Sequence, residues 1–143
     1  MGAWPVRRDR KAVKAGYELV YSTFPRLGER RRQLAGHLSG GEGQMLAIGR
    51  ALMLRPRLMM IDELSLGLAP LVVQNLVHIV RDINATGVSM ILVEQSANLA
   101  LSVTDHAYFL EKGQIRFDGR SQELLERDDL LRSVFLASAT TGG

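Results

Sequence analysis

Apolar positions change period several times along this 143-residue chain, and each change predicts an element. Residues Met1 to Gly36 read as helical and solvated overall. Within them Val13, Tyr17, Val20 and Tyr21 give one apolar stripe at helical spacing between Ala12 and Phe24, and Pro25 ends it. Leu27 to Leu34 follows as a short charged helix or turn. Met45, Leu46, Ile48, Leu52 and Met53 recur near 3.6 residues, leaving Gln44 and Arg50 for another face. That helix stops by Arg55, because Pro56 disfavours helical geometry in the residue before it. Leu58-Met59-Met60-Ile61 is a continuous apolar run, which predicts a strand buried on both faces of a parallel sheet. From Leu71 to Ala85, Leu71, Val72, Leu76, Ile79, Val80 and Ile83 predict one buried helix face, closed by Gly87. Ser89–Val93 then reads as a second buried strand and Asn98–Val103 as a short helix. Tyr108-Phe109-Leu110 and Ile115-Arg116-Phe117 flank Glu111-Lys112-Gly113-Gln114, an antiparallel hairpin in which Gly113 supplies the positive φ. A capped helix at Ser121-Gln122-Glu123, a last helix over Asp128–Phe135 and a small, polar, disordered tail from Ala137 to Gly143 complete the pattern.

The chemistry concentrates between Leu38 and Pro70. Ser39-Gly40-Gly41-Glu42 fits S-x-x-E, in which the serine hydroxyl accepts from a backbone N–H three residues on and the glutamate reaches back. An isolated S-x-x-E is more often only a cap. The two glycines add something, since they remove side chains that would keep an anion from the first N–H groups at the positive end of the helix dipole. A phosphate suits that place. Asp62 and Glu63 stand at the carboxyl end of the first strand, where open α/β sheets bind ligands. Two such acids are able to divide labour, one orienting Mg²⁺ through water and the other taking a proton from an attacking water. Four apolar residues before Asp-Glu are equally what a strand running into a polar loop looks like.

Composition narrows the class without deciding it. At 46% apolar and 23% charged, the chain has the make-up of an ordinary globular protein with one domain's worth of residues. No apolar stretch reaches the ~18 residues needed to cross a bilayer, and no charged-then-apolar leader opens it. With no cysteine there are neither disulfides nor thiolate metal sites, and His37, His78 and His106 have no ligand spacing between them. The net charge of +3 comes mainly from arginine, clustered at Arg7-Arg8-Asp9-Arg10-Lys11 and Arg30-Arg31-Arg32. Without aromatic interleaving or a nucleic-acid motif these clusters read as solvated helix faces, so no nucleic-acid partner is expected.

Leu38-Ser39-Gly40-Gly41-Glu42, then Leu58–Glu63, then Ser65-Leu66-Gly67-Leu68-Ala69-Pro70 resembles the signature motif, Walker B motif and D-loop of ATP-binding cassette (ABC) ATPases. Gln44–Leu52 and Ser65–Pro70 are similar to one branch, the LivF-type subunit of branched-chain amino acid importers. The resemblance implies an α/β fold, the C-terminal part of a P-loop NTPase domain, with mostly parallel strands flanked by helices, a helical N-terminal segment and a C-terminal hairpin. It implies that residues 1–56 belong to the helical subdomain with the signature motif, 57–136 to the later ATPase core, and 137–143 to the tail. It implies ATP and Mg²⁺ as cofactors: Ser39, Gly40, Gly41 and Glu42 contact ATP held by the opposite subunit of a head-to-tail homo- or heterodimer, Asp62 helps hold Mg²⁺, and Glu63 acts as general base. At Gln95 most of the family has a histidine that contacts the γ-phosphate; glutamine there resembles the LivF branch and keeps hydrogen bonding without charge. The further implied partners are membrane permease subunits and, indirectly, a periplasmic solute-binding protein, with the chain cytoplasmic on the inner face of the plasma membrane.

Two departures bear on activity. No G-x-x-x-x-G-K-[ST] occurs, so the lysine for the β/γ-phosphates and the hydroxyl for Mg²⁺ are missing, and Met1-Gly2-Ala3-Trp4 resembles an internal stretch of LivF-type subunits. Leu64 stands where the family usually has proline, which is expected to loosen the turn that aims Glu63. The expectation is a fragment that binds Mg-ATP weakly or not at all by itself; the alternative is an inactive binding module that only dimerises or docks to a permease.

Overall fold

The computed structural model describes residue 3 and residues 7–126. The helix expected over Asp128–Phe135 and the tail from Ala137 lie outside the described residues. The chain forms two compact units, Met1–Ile91 and Leu92–Gly143, with the boundary inside a strand.

In the first unit, α1 (Arg10–Thr23) opens with the Asp9 carboxylate accepting from the N–H groups of Lys11 and Ala12, both at 3.0 Å. Pro25 ends it and starts α2 (Pro25–Glu29), where its missing N–H costs nothing. A 3-10 turn at Ala35–His37 leads to α3 (Gly40–Leu52). The three helices meet at glycines. A Cβ on Gly49 would lie 3.0 Å from Val20 Cγ1 and one on Gly16 3.3 Å from the Met53 side chain, so α3 approaches α1 closely enough that a larger residue at either place would press its neighbour aside by a few tenths of an ångström. Val20, Phe24, Leu27, Ile48, Leu52 and Met53 fill this contact as buried core. The apolar stripe expected on α1 is only partly buried, with Tyr17 exposed and stacked on Tyr21.

After α3 the chain turns at Arg55, whose φ of 48° is left-handed ahead of Pro56, and enters β1 (Leu58–Asp62). Helix α4 (Pro70–Ala85) then leads to β2 (Ser89–Val93) in the same two-stranded sheet. The Ser89 N–H donates to Arg57 O at 3.0 Å, which sets the two strand starts side by side, the arrangement of a parallel pair with a helical crossover. Gly87, at φ 95°, closes α4 as expected, its N–H donating to Asn84 O. Two expectations are corrected. β1 is buried on one face only: Met59 and Ile61 are inside, whereas Leu58 and Met60 are 50% and 70% exposed and Ile91 of β2 is exposed too. The apolar run suits cover on both sides, and the described residues cover one. On α4 the buried face is Leu76, Val77, Val80 and Ile83, while Leu71, in the first turn, faces out.

In the second unit, α5 (Ala97–Val103) is capped by the Ser96 hydroxyl. β3 (His106–Glu111) and β4 (Gln114–Arg120) pair antiparallel, with an irregularity between Phe109 and Leu110 where Phe109 faces Phe117 but Leu110 faces Ile115. The two-residue turn needs positive φ at both positions, and Lys112 (49°) shares it with Gly113 (76°). α6 (Ser121–Glu126) follows at once; its Ser121 is buried and its hydroxyl bonds that of Thr104 at 2.8 Å. Among the described residues of this unit, Leu101 and Leu124 are the buried apolar ones.

Candidate functional site

Ser39 is the N-cap of α3. Its hydroxyl accepts from the Glu42 N–H at 3.4 Å and donates to Glu42 Oε2 at 3.0 Å, and the same oxygen accepts from the Ser39 N–H at 3.0 Å. The reciprocal cap expected from S-x-x-E is thus present in full. Glu42 Oε1 takes a third partner, Arg30 Nε at 2.9 Å, and the Glu42 side chain is 12% exposed. The hydrogen bond from the Ser39 N–H, then the Ser39 hydroxyl and the positive charges of Arg30 and Arg26, hold the Glu42 carboxyl below its usual range against the opposing effect of desolvation.

The glycines have a packing cause as well as the chemical one expected of them. A Cβ on Gly41 would lie 2.5 Å from Val72 Cγ1, and one on Gly40 3.3 Å from Leu68 Cδ2. Gly41 is buried, so the turn rests against the loop after β1 and the first turn of α4. Sequence reasoning had no way to pair residues 41 and 72, though Val72 lay on the predicted apolar face of α4.

Asp62 ends β1 with its residue exposed, and Glu63 follows, half-buried, at φ 50°. A left-handed glutamate costs roughly 1–2 kcal/mol, and such strain gathers at functional positions. Its carbonyl accepts from the Leu66 N–H at 3.3 Å, making the first bend of the loop. Leu64 is wholly buried, so the turn expected to be loosened by loss of a proline is anchored from inside instead. Gln95 lies between β2 and α5, exposed, in the second unit. Ser39–Glu42 and Asp62–Glu63 share the first unit and flank the same 64–69 loop. Among the described residues no cluster of three or more His, Cys, Asp or Glu is poised to hold a metal, and no helix is long and apolar enough to cross a membrane.

A phosphate fits the start of α3 by the first-turn amides on the positive end of a 13-residue helix, and the Ser39 hydroxyl joins them once it releases its bond to Glu42 Oε2. The Asp62 carboxylate is the hard oxygen donor Mg²⁺ takes. A G-x-x-x-x-G-K-[ST] loop is not among these 143 residues.

Fold and motifs together are those of the C-terminal portion of an ABC ATPase, the portion bearing the signature turn and the acidic strand. The particular likeness is to branched-chain amino acid transport subunits. The high-affinity branched-chain amino acid transport ATP-binding protein BraG of Pseudomonas aeruginosa is 50% identical over 107 residues, 75% of this chain and 46% of BraG. The probable branched-chain amino acid transport ATP-binding protein LivF of Archaeoglobus fulgidus is 35% identical over 124 residues, 84% of this chain and 51% of that protein. An ATP-binding cassette of an ABC transporter in its ADP conformation superposes with a TM-score of 0.76 at 26% identity, covering 90% of this chain and 51% of that one. The chain therefore spans about half the length of the relatives it matches. No family model matches it.

Proposed function

We propose that this chain is the signature-bearing and acid-bearing part of an ABC ATPase that energises amino acid uptake, branched-chain amino acids above all. The observation that carries the reading is the 50% identity to BraG across the stretch in which the capped glycine turn and the acidic strand end occur together. In the proposed assembly two ATPase subunits, alike or different, sit head to tail beneath membrane permease subunits, on the inner face of the plasma membrane, with a periplasmic solute-binding protein acting indirectly.

Mg-ATP, when bound, supplies the phosphoryl group and a metal-held positive charge. Toward it Ser39 redirects the hydroxyl proton it otherwise gives to Glu42 Oε2, and Gly40 and Gly41 offer their amides, from the subunit opposite the one that holds the nucleotide. Glu42 keeps those donors in place by tying both ends of Ser39. Asp62 offers an oxygen to the magnesium, Glu63 accepts the proton of the attacking water, and Gln95 hydrogen-bonds without adding charge. The phosphate-loop lysine comes from a segment other than these residues.

The test is complementation. Co-expressing this chain with a polypeptide carrying the phosphate-loop half of a BraG-type relative gives ATP hydrolysis, and Glu63→Gln abolishes it while leaving the complex assembled. Hydrolysis indifferent to Glu63, or a well-formed complex without hydrolysis, refutes the catalytic reading.

A further inference from the structure

The arginine run Arg30-Arg31-Arg32 has three exposed residues, yet Arg30 is placed differently from its neighbours. It is the C-cap of α2, and its guanidinium points in two useful directions. Nε meets Glu42 Oε1 at 2.9 Å, and Nη1 donates to Gln33 Oε1 at 3.1 Å, while Gln33 Nε2 in turn donates to His37 O at 3.0 Å. One side chain thus ties the end of α2, the segment leading to the turn, and the first turn of α3.

The reason such a tie is needed lies in Glu42. Its carboxylate is what holds Ser39, through bonds of 3.0 Å from the Ser39 N–H and hydroxyl. The same carboxylate is a negative charge within one side-chain length of the donors that would receive a phosphate. A cap built on glutamate therefore gains geometry at the expense of repelling the anion it serves. A guanidinium is the suitable counter-charge, because it stays protonated at all relevant pH and holds one oxygen with a directional N–H while the other oxygen remains on Ser39.

We propose that Arg30 is a positioning residue of the signature turn: it neutralises Glu42, so that the glutamate cap shapes the turn without repelling a nucleotide's triphosphate. The proposal rests on the reading of the turn as a triphosphate contact. It assigns Arg30 no contact with the nucleotide itself, and it separates this arginine from Arg31 and Arg32.

The test is titration of the ¹⁵N-labelled chain, complemented with the phosphate-loop half, with ATP and, separately, inorganic tripolyphosphate, following the amide resonances of Ser39, Gly40, Gly41 and Gly43. In the parent these shift with a saturable curve. Arg30→Ala weakens the apparent affinity about 3- to 10-fold, the effect of one partly solvated unit charge a few ångströms from the anion. Arg30→Lys keeps most of the affinity. Arg30→Ala combined with Glu42→Gln returns to near the parent value, since glutamine still accepts from the Ser39 N–H and carries no charge. A merely structural role predicts the opposite sign, because the second change removes further cap strength. Arg30→Ala binding as tightly as the parent, or the double variant binding more weakly than Arg30→Ala, overturns the role of Arg30 alone. A parent whose turn amides show no saturable shift overturns this role together with the triphosphate reading of the turn.

Discussion

Replacing Gly41 by alanine separates the packing of the signature turn from its chemistry. The added methyl meets Val72 Cγ1 at 2.5 Å, and an ordinary contact is about 3.5–4.0 Å, so turn and helix must part by about 1 Å or the valine must leave its rotamer. Overpacking of that kind costs about 1–3 kcal/mol. Against it stands alanine's better helix propensity, worth at most about 1 kcal/mol in a helix interior and less in the first turn. The net expectation is a loss of about 1–2 kcal/mol. Gly43→Ala is the internal control, because nothing lies within 4 Å of its added methyl; it should stabilise by about 0.5–1 kcal/mol. Urea unfolding of the two variants with unchanged m-value should separate them by about 1.5–3 kcal/mol, with melting points differing by roughly 4–12 °C for a chain of this size. Adding Val72→Ala to Gly41→Ala should recover most of the loss, since the Val72 Cβ would stand at an ordinary 3.7 Å. Gly41→Ala no less stable than Gly43→Ala would refute the argument that α4 dictates glycine at this position.

The Glu42 cap has a pH signature. Its carboxyl is held below the usual range in the fold, so its contribution is complete at neutral pH, declines as pH drops below the ordinary carboxylate pKa, and is gone beneath the folded value. The stability difference between the parent and Glu42→Gln, from urea midpoints, should be largest near pH 7 and shrink toward zero in acid; a difference that grows on acidification contradicts the assignment. Glu63→Gly should relieve the left-handed φ of 50° and remove ATP turnover in the complemented complex. Unchanged turnover would remove Glu63 from the chemistry. Leu64→Ala, at a position with no exposed surface, should cost about 2–5 kcal/mol in thermal or urea unfolding, and a cost under 1 kcal/mol would mean the turn after β1 is not anchored by burial.

How much of this was legible in the sequence depends on whether the controlling partner is near in the chain. The start of α3 was legible because Ser39 and Glu42 cap each other three residues apart, and the starts of β1 and β2 because Pro56 and Gly87 punctuate the helices before them. The bare face of β1 was not, because an unbroken apolar run carries no mark of whether both of its covers are present, and here Leu58 and Met60 lie open. The left-handed φ of Glu63 and Lys112 was hidden for a related reason: only glycine advertises that region, and the surrounding turns impose it on these residues. At the proposed site, motif spacing picked out Ser39, Gly40, Gly41, Glu42, Asp62 and Glu63, and family resemblance added Gln95. It missed Arg30, which looks like any arginine in a basic run until α2 brings it to Glu42, and Val72, whose role against Gly41 exists only once α4 has packed on α3.

The central claim is that Ser39 serves a triphosphate held by the opposite subunit, not one held by its own. It is tested most directly by mixing two defective copies, each complemented with a phosphate-loop half: one carries Ser39→Asp, which keeps a capping oxygen but opposes the anion with charge, and the other carries Glu63→Gln. A site shared across subunits leaves one of the two composite sites whole in the mixed pair, so ATP turnover should rise well above that of either variant paired with itself. Turnover in the mixed pair no higher than in the two self-pairs would contradict the account.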